Sequence, residues 1–352
     1  MPARVEMGYK ERASGKDERV PRTSREWIRR AALAAFALVA ACGARTGLDA
    51  SPPAPPVTFA GCHQQPWLLF DLSDANNPES EGIYAMRADG SDPHPLTLPH
   101  SPAYFPSVSP DGGHLLYATF QGQDAGGGAL LYLYDFASRT ASLVVQTPQL
   151  TYSALSPDGQ TVAYVNGYSL HDVAPDGSND RTLLAGPNSD GSGYGHPTFF
   201  DSSTILYGTG GVVGSIGVDG SNNQTLLTTI PGSFQYPNAA LSPDATEIVI
   251  GAYCDQGSGD AIRVYSYASL PGASCASGTV LAPAQDSASP NNGANDPSWG
   301  PDGTIAYGSG QDVWVIPASG GTPTNMTSDL TGDGGVHAAT DPVWAPGCAA
   351  LP

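Results

Sequence analysis

From Trp67 onward the apolar positions fall in short runs, too brief for helices and divided by polar turns of one recurring composition. The turns are Ser109-Pro110-Asp111-Gly112, Ser156-Pro157-Asp158-Gly159, Ser242-Pro243-Asp244 and Gly300-Pro301-Asp302-Gly303. An apolar run follows each: His114-Leu115-Leu116-Tyr117, Thr161-Val162-Ala163-Tyr164, Glu247-Ile248-Val249-Ile250 and Thr304-Ile305-Ala306-Tyr307. Degenerate copies stand at Phe200-Asp201-Ser202-Ser203 and Ala345-Pro346-Gly347. Proline presets the first corner of such a turn, and Asp and Gly tolerate the left-handed corner behind it. The pattern predicts many short strands.

Alignment on the pair that opens each unit (Phe105-Pro106, Tyr152-Ser153, His196-Pro197, Asn238-Ala239, Asp296-Pro297, Asp341-Pro342) gives spacings of 42 to 58 residues, the period of propeller blades. Each unit reads as strand a, the Pro-Asp turn, strand b, a variable loop, strand c, a hairpin turn and strand d. The hairpins carry Asp89-Gly90, Asp176-Gly177, Asp219-Gly220 or Ser319-Gly320, a strong antiparallel signal. The first b-c-d set, from Trp67, lacks a strand a, and the last strand a, Asp341-Pro342-Val343-Trp344, lacks b-c-d. Each completes the other in one shared blade, which closes a ring and removes a free sheet edge. The predicted fold is all-β, a six-bladed β-propeller of four-stranded antiparallel blades.

The stretch from Asp296 to Tyr307 (Pro-x-Trp-x-Pro-Asp-Gly, then Ile-Ala-Tyr), followed by Val313-Trp314-Val315 and Gly320-Gly321, resembles the WD-like repeat of TolB-type propellers. The resemblance spans Cys62 to Cys348. Similar repeats occur in oligogalacturonate lyases and in the propeller domains of prolyl-oligopeptidase-type enzymes. The resemblance implies a binding or scaffolding propeller, and through the lyases it admits a metal held in the channel.

Before the propeller the chain reads differently. Arg22, Arg25, Arg29 and Arg30 precede an apolar run from Ala31 to Ala41. Eleven residues rise about 16 Å as a helix, well short of a bilayer core of about 30 Å. Residues 1–41 therefore read as an export signal. Val39-Ala40-Ala41-Cys42 resembles the bacterial lipobox, in which the cysteine is acylated, so Cys42 is the expected lipidation site. Gly43 stands where Asp would retain some lipoproteins at the inner membrane, which favours the outer membrane. Residues 42–61 form a Pro-rich tether, 62–348 the propeller and 349–352 a tail. The 19 residues after Cys42 reach at most roughly 60 Å.

After Ala41 the chain keeps only five of its 14 basic residues and 28 of its 33 acidic ones, with no Lys. Nucleic acid is excluded as a partner, because phosphate binding needs clustered Lys and Arg. Five cysteines, one assigned to lipid, leave an even four, which suits two disulfides in an oxidising compartment. Cys62 and Cys348 fall at one a–b turn of the shared blade, so their pairing would lock the ring. Cys254 and Cys275 lie nominally at opposite ends of strand c in blade five. An ordinary blade would hold them too far apart, and pairing requires the insertion around Leu270-Pro271-Gly272 to fold back.

Strand a lines the channel, so Phe105, Tyr152, His196, Asn238, Asp296 and Asp341 are expected around its mouth. There they meet the variable loops at Ser73–Glu81, Gln121–Gly128 and Gln285–Asn295, the usual seat of binding. His100 and His337 precede strand a. His196, His337, Asp296 and Asp341 are weak metal candidates without close ligand spacing. Asp89-Gly90-Ser91-Asp92 and Asp176-Gly177-Ser178-Asn179 lack the position-12 Glu of a calcium loop and read as hairpins. Ser192-Gly193-Tyr194-Gly195 lacks the Gly-x-Ser-x-Gly nucleophile pattern. No catalytic residue and no cofactor is expected. The reading is a lipid-anchored, monomeric binding or scaffolding propeller outside the cytoplasm, with an envelope protein or small ligand as partner. The alternatives are a metal-dependent lyase or hydrolase acting on polysaccharide or peptide, and a purely structural envelope component.

Overall fold

The computed structural model describes residues 65–351 apart from 75, 78–79, 122–127, 189–190, 230–236, 253, 255–260, 283–294, 332–336 and 346–350. The segments expected to be an export signal and a tether, with Cys42, Cys62 and Cys348, lie outside the described residues. Six antiparallel sheets are present, each opened by a strand a. Blade one joins the two ends of the propeller: strand a is His337–Ala345, b Trp67–Asp74, c Gly82–Arg87 and d His94–Pro95. Its closing ladder runs from Trp67↔Ala345 to Asp74↔His337. Blade two follows as Tyr104–Val108, His114–Phe120, Ala129–Asp135 and Thr140–Thr147. Blade three is Leu150–Leu155, Val162–Asn166, Ser169–Val173 and Arg181–Leu184. Blade four has Gly195–Asp201, Thr204–Thr209, Val212–Gly217 and Gln224–Thr228. Blade five has Asn238–Leu241, Glu247–Ala252, Ala261–Ser266 and Thr279–Ala282, and blade six Asn295–Trp299, Thr304–Ser309, Asp312–Pro317 and Thr324–Asn325.

The core explains why the apolar runs are continuous rather than alternating. Strand b has a blade on either side, so both of its faces are covered. Leu68, Leu69 and Phe70 are wholly buried, as are Leu115 to Ala118 and Ile305 to Tyr307. One cluster packs Leu69, Ile83 and Ala345 of blade one on Leu115, Tyr117 and Tyr132 of blade two, and equivalent clusters fill other blade interfaces. The strand b tyrosines are core residues: Tyr117 donates to the Pro99 carbonyl at 2.7 Å and Tyr164 to the Asp180 carboxylate at 2.7 Å.

The repeated turn is a small hydrogen-bonded device. Ser156 Oγ donates to Asp158 Oδ1 at 2.7 Å and accepts the Thr161 amide at 2.9 Å. Ser109 with Asp111 and His114, and Ser242 with Asp244 and Glu247, repeat it. The fourth corner is left-handed at Gly112, Gly159 and Gly303, and at Ala245 where the glycine is missing. Arg181 adds a link between blades three and four, forking onto Asp172 at 2.8 and 2.9 Å and reaching the Val218 carbonyl.

Blade five carries the one large departure from a plain propeller among the described residues. After its strand c the chain makes 3-10 turns at Tyr267–Ser269 and Cys275–Ser277. Between them Ala273–Ser274 adds a short parallel strand to the outer edge of blade four. Tyr267 stacks on Phe200 of blade four with centroids 4.3 Å apart. This folding back brings Cys275 to Cys254, and the two form a disulfide with Cα atoms 5.4 Å apart. The nominal separation along strand c is thus overcome by the insertion.

Candidate binding site at the channel mouth

Four-stranded antiparallel blades put the a–b and c–d turns at one end of the propeller and the b–c and d–a connections at the other. Strand a opens at this second end, the mouth. In four blades the opening residue precedes a proline and is left-handed: Phe105 (φ 56), His196 (φ 46), Asp296 (φ 47) and Asp341 (φ 51). The ladder slips at each of these points, between Tyr104 and Ser107, Gly195 and Thr198, Asn295 and Ser298, and opposite Leu69 and Asp71. Proline disfavours a helical residue before it and cannot donate to the ladder, so X-Pro settles here as a bulge. In blade five Ala239 replaces the proline and the ladder from Asn238 runs unbroken. A left-handed non-glycine residue costs about 1–2 kcal/mol, and four in equivalent places mark the mouth as a strained ring.

The six expected residues do meet. Phe105 packs on Tyr152 with centroids 5.6 Å apart, and Tyr152 lies against the His196 ring at 3.6 Å. His196 Nδ1 stands 3.3 Å from Asp296 Oδ1, with both side chains only 17% exposed. Asn238 donates its side-chain amide to the same Asp296 oxygen. Asp296 and His196 are the titratable neighbours of Asp341, and Asp341 is that of Asp71. Asp71 closes the circuit: its Oδ2 accepts the Phe105 amide at 2.8 Å. Phe120, exposed at the end of strand b in blade two, extends the aromatic side onto Phe105 and Tyr104.

The mouth thus has an aromatic half, blades two to four, and an acidic half, blades five, six and one. Burial and the Asp341 charge raise the Asp71 pKa well above the usual carboxylate range, against the Phe105 amide, which lowers it. Burial and the Asp296 charge push Asp341 up to about 7. Burial drives His196 down to about 4, against the pull of Asp341, so it is neutral at pH 7. Asp71 Oδ1 is buried with no hydrogen-bond partner among the described residues.

Two expected neighbours sit elsewhere. His337 bonds Asp74 Oδ2 at 3.0 Å. Asp74 also accepts from Ser80 and from the Asn76 and Asn77 amides, which organises the loop after strand b and holds its pKa down to about 2. His100 stacks on Tyr132 of strand c at 4.5 Å, away from the inner strands. As a metal set the candidates fail to assemble: among the described residues no three His, Cys, Asp or Glu side chains are disposed to hold an ion. Asp71 went unnoticed in the sequence, although a single acid inside Trp67-Leu68-Leu69-Phe70-Asp71-Leu72 is the signal that finds it. The Ser192–Gly195 segment is structural, with Tyr194 donating to Asn188 Oδ1 at 2.9 Å and Thr209 to the Gly193 carbonyl at 2.6 Å.

Known protein families yield no match to this sequence, and neither do curated proteins. Solved structures do match in fold. TolB from Acinetobacter baumannii superposes with a TM-score of 0.58 at 17% identity, over 80% of this chain and 67% of that one. A chain of the nidogen/laminin complex gives a TM-score of 0.56 at 9% identity, over 79% of this chain and 98% of that one. An oligogalacturonate lyase in complex with manganese reaches a TM-score of 0.47 at 14% identity, covering 75% and 72%, a likeness too low to carry chemistry. The chain shares the six-bladed fold of the TolB propeller.

Proposed function

We propose that this six-bladed propeller is a binding module that docks a partner at its channel mouth, carried outside the cytoplasm on a lipid attached to Cys42. The observation behind this reading is the closed circuit of Phe105, Tyr152, His196, Asp296, Asp341 and Asp71, drawn from five blades and held at a strained, mutually repelling ring. A fold gains nothing from crowding buried acids, so their placement points to use. Strand b of blade one starts at the turn end, where Trp67 pairs with Ala345. We read the turn face as the side of the anchor and the mouth as the side of the partner.

Photo-crosslinking in the native membrane, with the probe placed at Tyr152, tests this. Substituting His196, Asp296 and Asp341 together by Ala should abolish partner capture. Substituting Asp176 and Asp219 on the turn face should leave it unchanged. The reverse pattern would assign the working surface to the wrong end. Cys42→Ser should release the protein from membranes, and a processed, membrane-bound mutant would overturn the anchor.

A further inference from the structure

We infer that the mouth receives one organic cation, an alkylammonium or alkylguanidinium group, set against Asp71, Asp341 and Asp296 and walled by Tyr152 and Phe105. This rests on the mouth being the working face and adds the chemistry of what it takes.

Once ionised, the three acids of the ring offer acceptors only, and a bound cation favours that ionised form. Asp71 is 7% exposed, and its carboxylate is fixed by one oxygen on the Phe105 amide. The other oxygen has no donor among the described residues. The charged group that acts on Asp71 is another acid, Asp341, which puts this carboxyl in the acidic half of the ring. Asp296 takes the Asn238 amide and the neutral His196 ring, and neither brings positive charge.

The propeller cannot supply the missing charge itself. Beyond residue 61 the sequence has no Lys and four Arg. Arg87 lies over the Trp67 ring, 3.5 Å from its centroid, and Arg181 forks onto Asp172. Arg139 sits in the c–d turn of blade two, and Arg263 reaches toward the Gly278 carbonyl. The mouth loops outside the described residues contain no Lys or Arg either. A donor of positive charge must come from another molecule.

Aromatic faces beside the acids select the kind of cation. The Phe105, Tyr152 and His196 rings form a continuous wall ending at Asp296. Ring faces attract ammonium and guanidinium groups, and their apolar stems gain from the same surface. A bare divalent ion gains nothing from that wall, and no ligand set is assembled for one among the described residues.

Isothermal titration of the full chain at pH 8 tests the assignment with four probes. These are agmatine, N-acetyl-lysine amide, the uncharged N-acetyl-norleucine amide and calcium ion. At least one of the two cationic probes should bind, tenfold or more tighter than the norleucine amide. The lysine amide binding as well as agmatine would place the group on a protein side chain; agmatine alone would place it on a free amine. Asp71→Asn, which keeps an acceptor for the Phe105 amide, and Asp341→Asn should each weaken binding at least tenfold. A melting curve with a single cooperative transition shows that both variants fold. No cationic probe binding, equal binding of the uncharged probe, binding of calcium alone, or unaltered affinity in both folded variants would overturn the inference. If partner capture still depends on the mouth in that event, the docking face stands and only its chemistry is wrong.

Discussion

At the turn end, Asp89, Asp176, Asp219 and Asp244 each accept hydrogen bonds from a Ser or Thr and an amide of their own turn. At the mouth, Asp341 of blade one faces Asp296 of blade six and Asp71 of its own blade. The same side chain is held below its ordinary pKa in the first place, by serine hydroxyls above all, and Asp71 and Asp341 are pushed above it in the second. The difference lies in who supplies the donors. A turn carries its own amides and needs no other molecule, whereas a ring of strand openings gathers acids faster than it gathers donors.

The largest effect belongs to the turn end. Ser156 is buried, and its hydroxyl serves both Asp158 and the Thr161 amide. Ser156→Ala strands that amide and should cost about 1–3 kcal/mol, read as a lower urea midpoint at unchanged slope. A loss below a few tenths of a kcal/mol would mean the turn devices do not hold the blades.

The mouth should behave in the opposite sense. With its pKa near 7 rather than 3.8, Asp341 holds a proton in the fold that the unfolded chain has lost, so its contribution falls as pH rises between those values. His196, at about 4 rather than 6.5, works the other way over much of that window, because the fold refuses a proton that the unfolded chain takes. The two offset each other until about pH 6.5, above which only the acids remain. Stability should therefore decline from pH 6.5 to 8 through Asp341 and Asp71 together, and Asp341→Asn should flatten that decline in part. The variant also escapes the whole penalty that Asp341 accumulates above pH 3.8, a gain of about 2 kcal/mol at pH 8 after allowing for partial exposure. A variant no more stable than the parent at pH 8 would show that the mouth acids are not in conflict.

The smallest effect returns to the turns. Ala245 occupies the left-handed corner that glycine takes at Gly112, Gly159 and Gly303. Ala245→Gly relieves that strain but frees the unfolded chain, for a net gain of up to about 1 kcal/mol. A rise in melting temperature without change at the mouth would confirm that the two ends are independent.

The blades were readable because turn and strand chemistry is local. Ser-Pro-Asp-Gly specifies its own hydrogen bonds, and a continuous apolar run says that both faces are covered. The six openings could be placed because they hold one position in each unit. The electrostatics were not readable, since they arise between units: His196 reaches Asp296 across two blades, and Asp71 on a strand b meets Asp341 on the strand a that closes the ring. Four of the five slipped openings carry X-Pro, but blade three slips between Leu150 and Ser153 without one, and proline alone does not announce a left-handed residue before it. His337 fell outside the ring because strand a of blade one is longer than its Asp341–Trp344 nucleus and carries the histidine up to Asp74.

The closing ladder of blade one also sets how the molecule carries load. Trp67 and Ala345 form its last rung, so the chain enters and leaves at the same end of an antiparallel pair. Tension applied between those two points would act on one rung at a time, as on a zipper, and not on the whole ladder in shear. A ring that resists heat as a single body would thus be opened by a modest pull at that seam, blade one first.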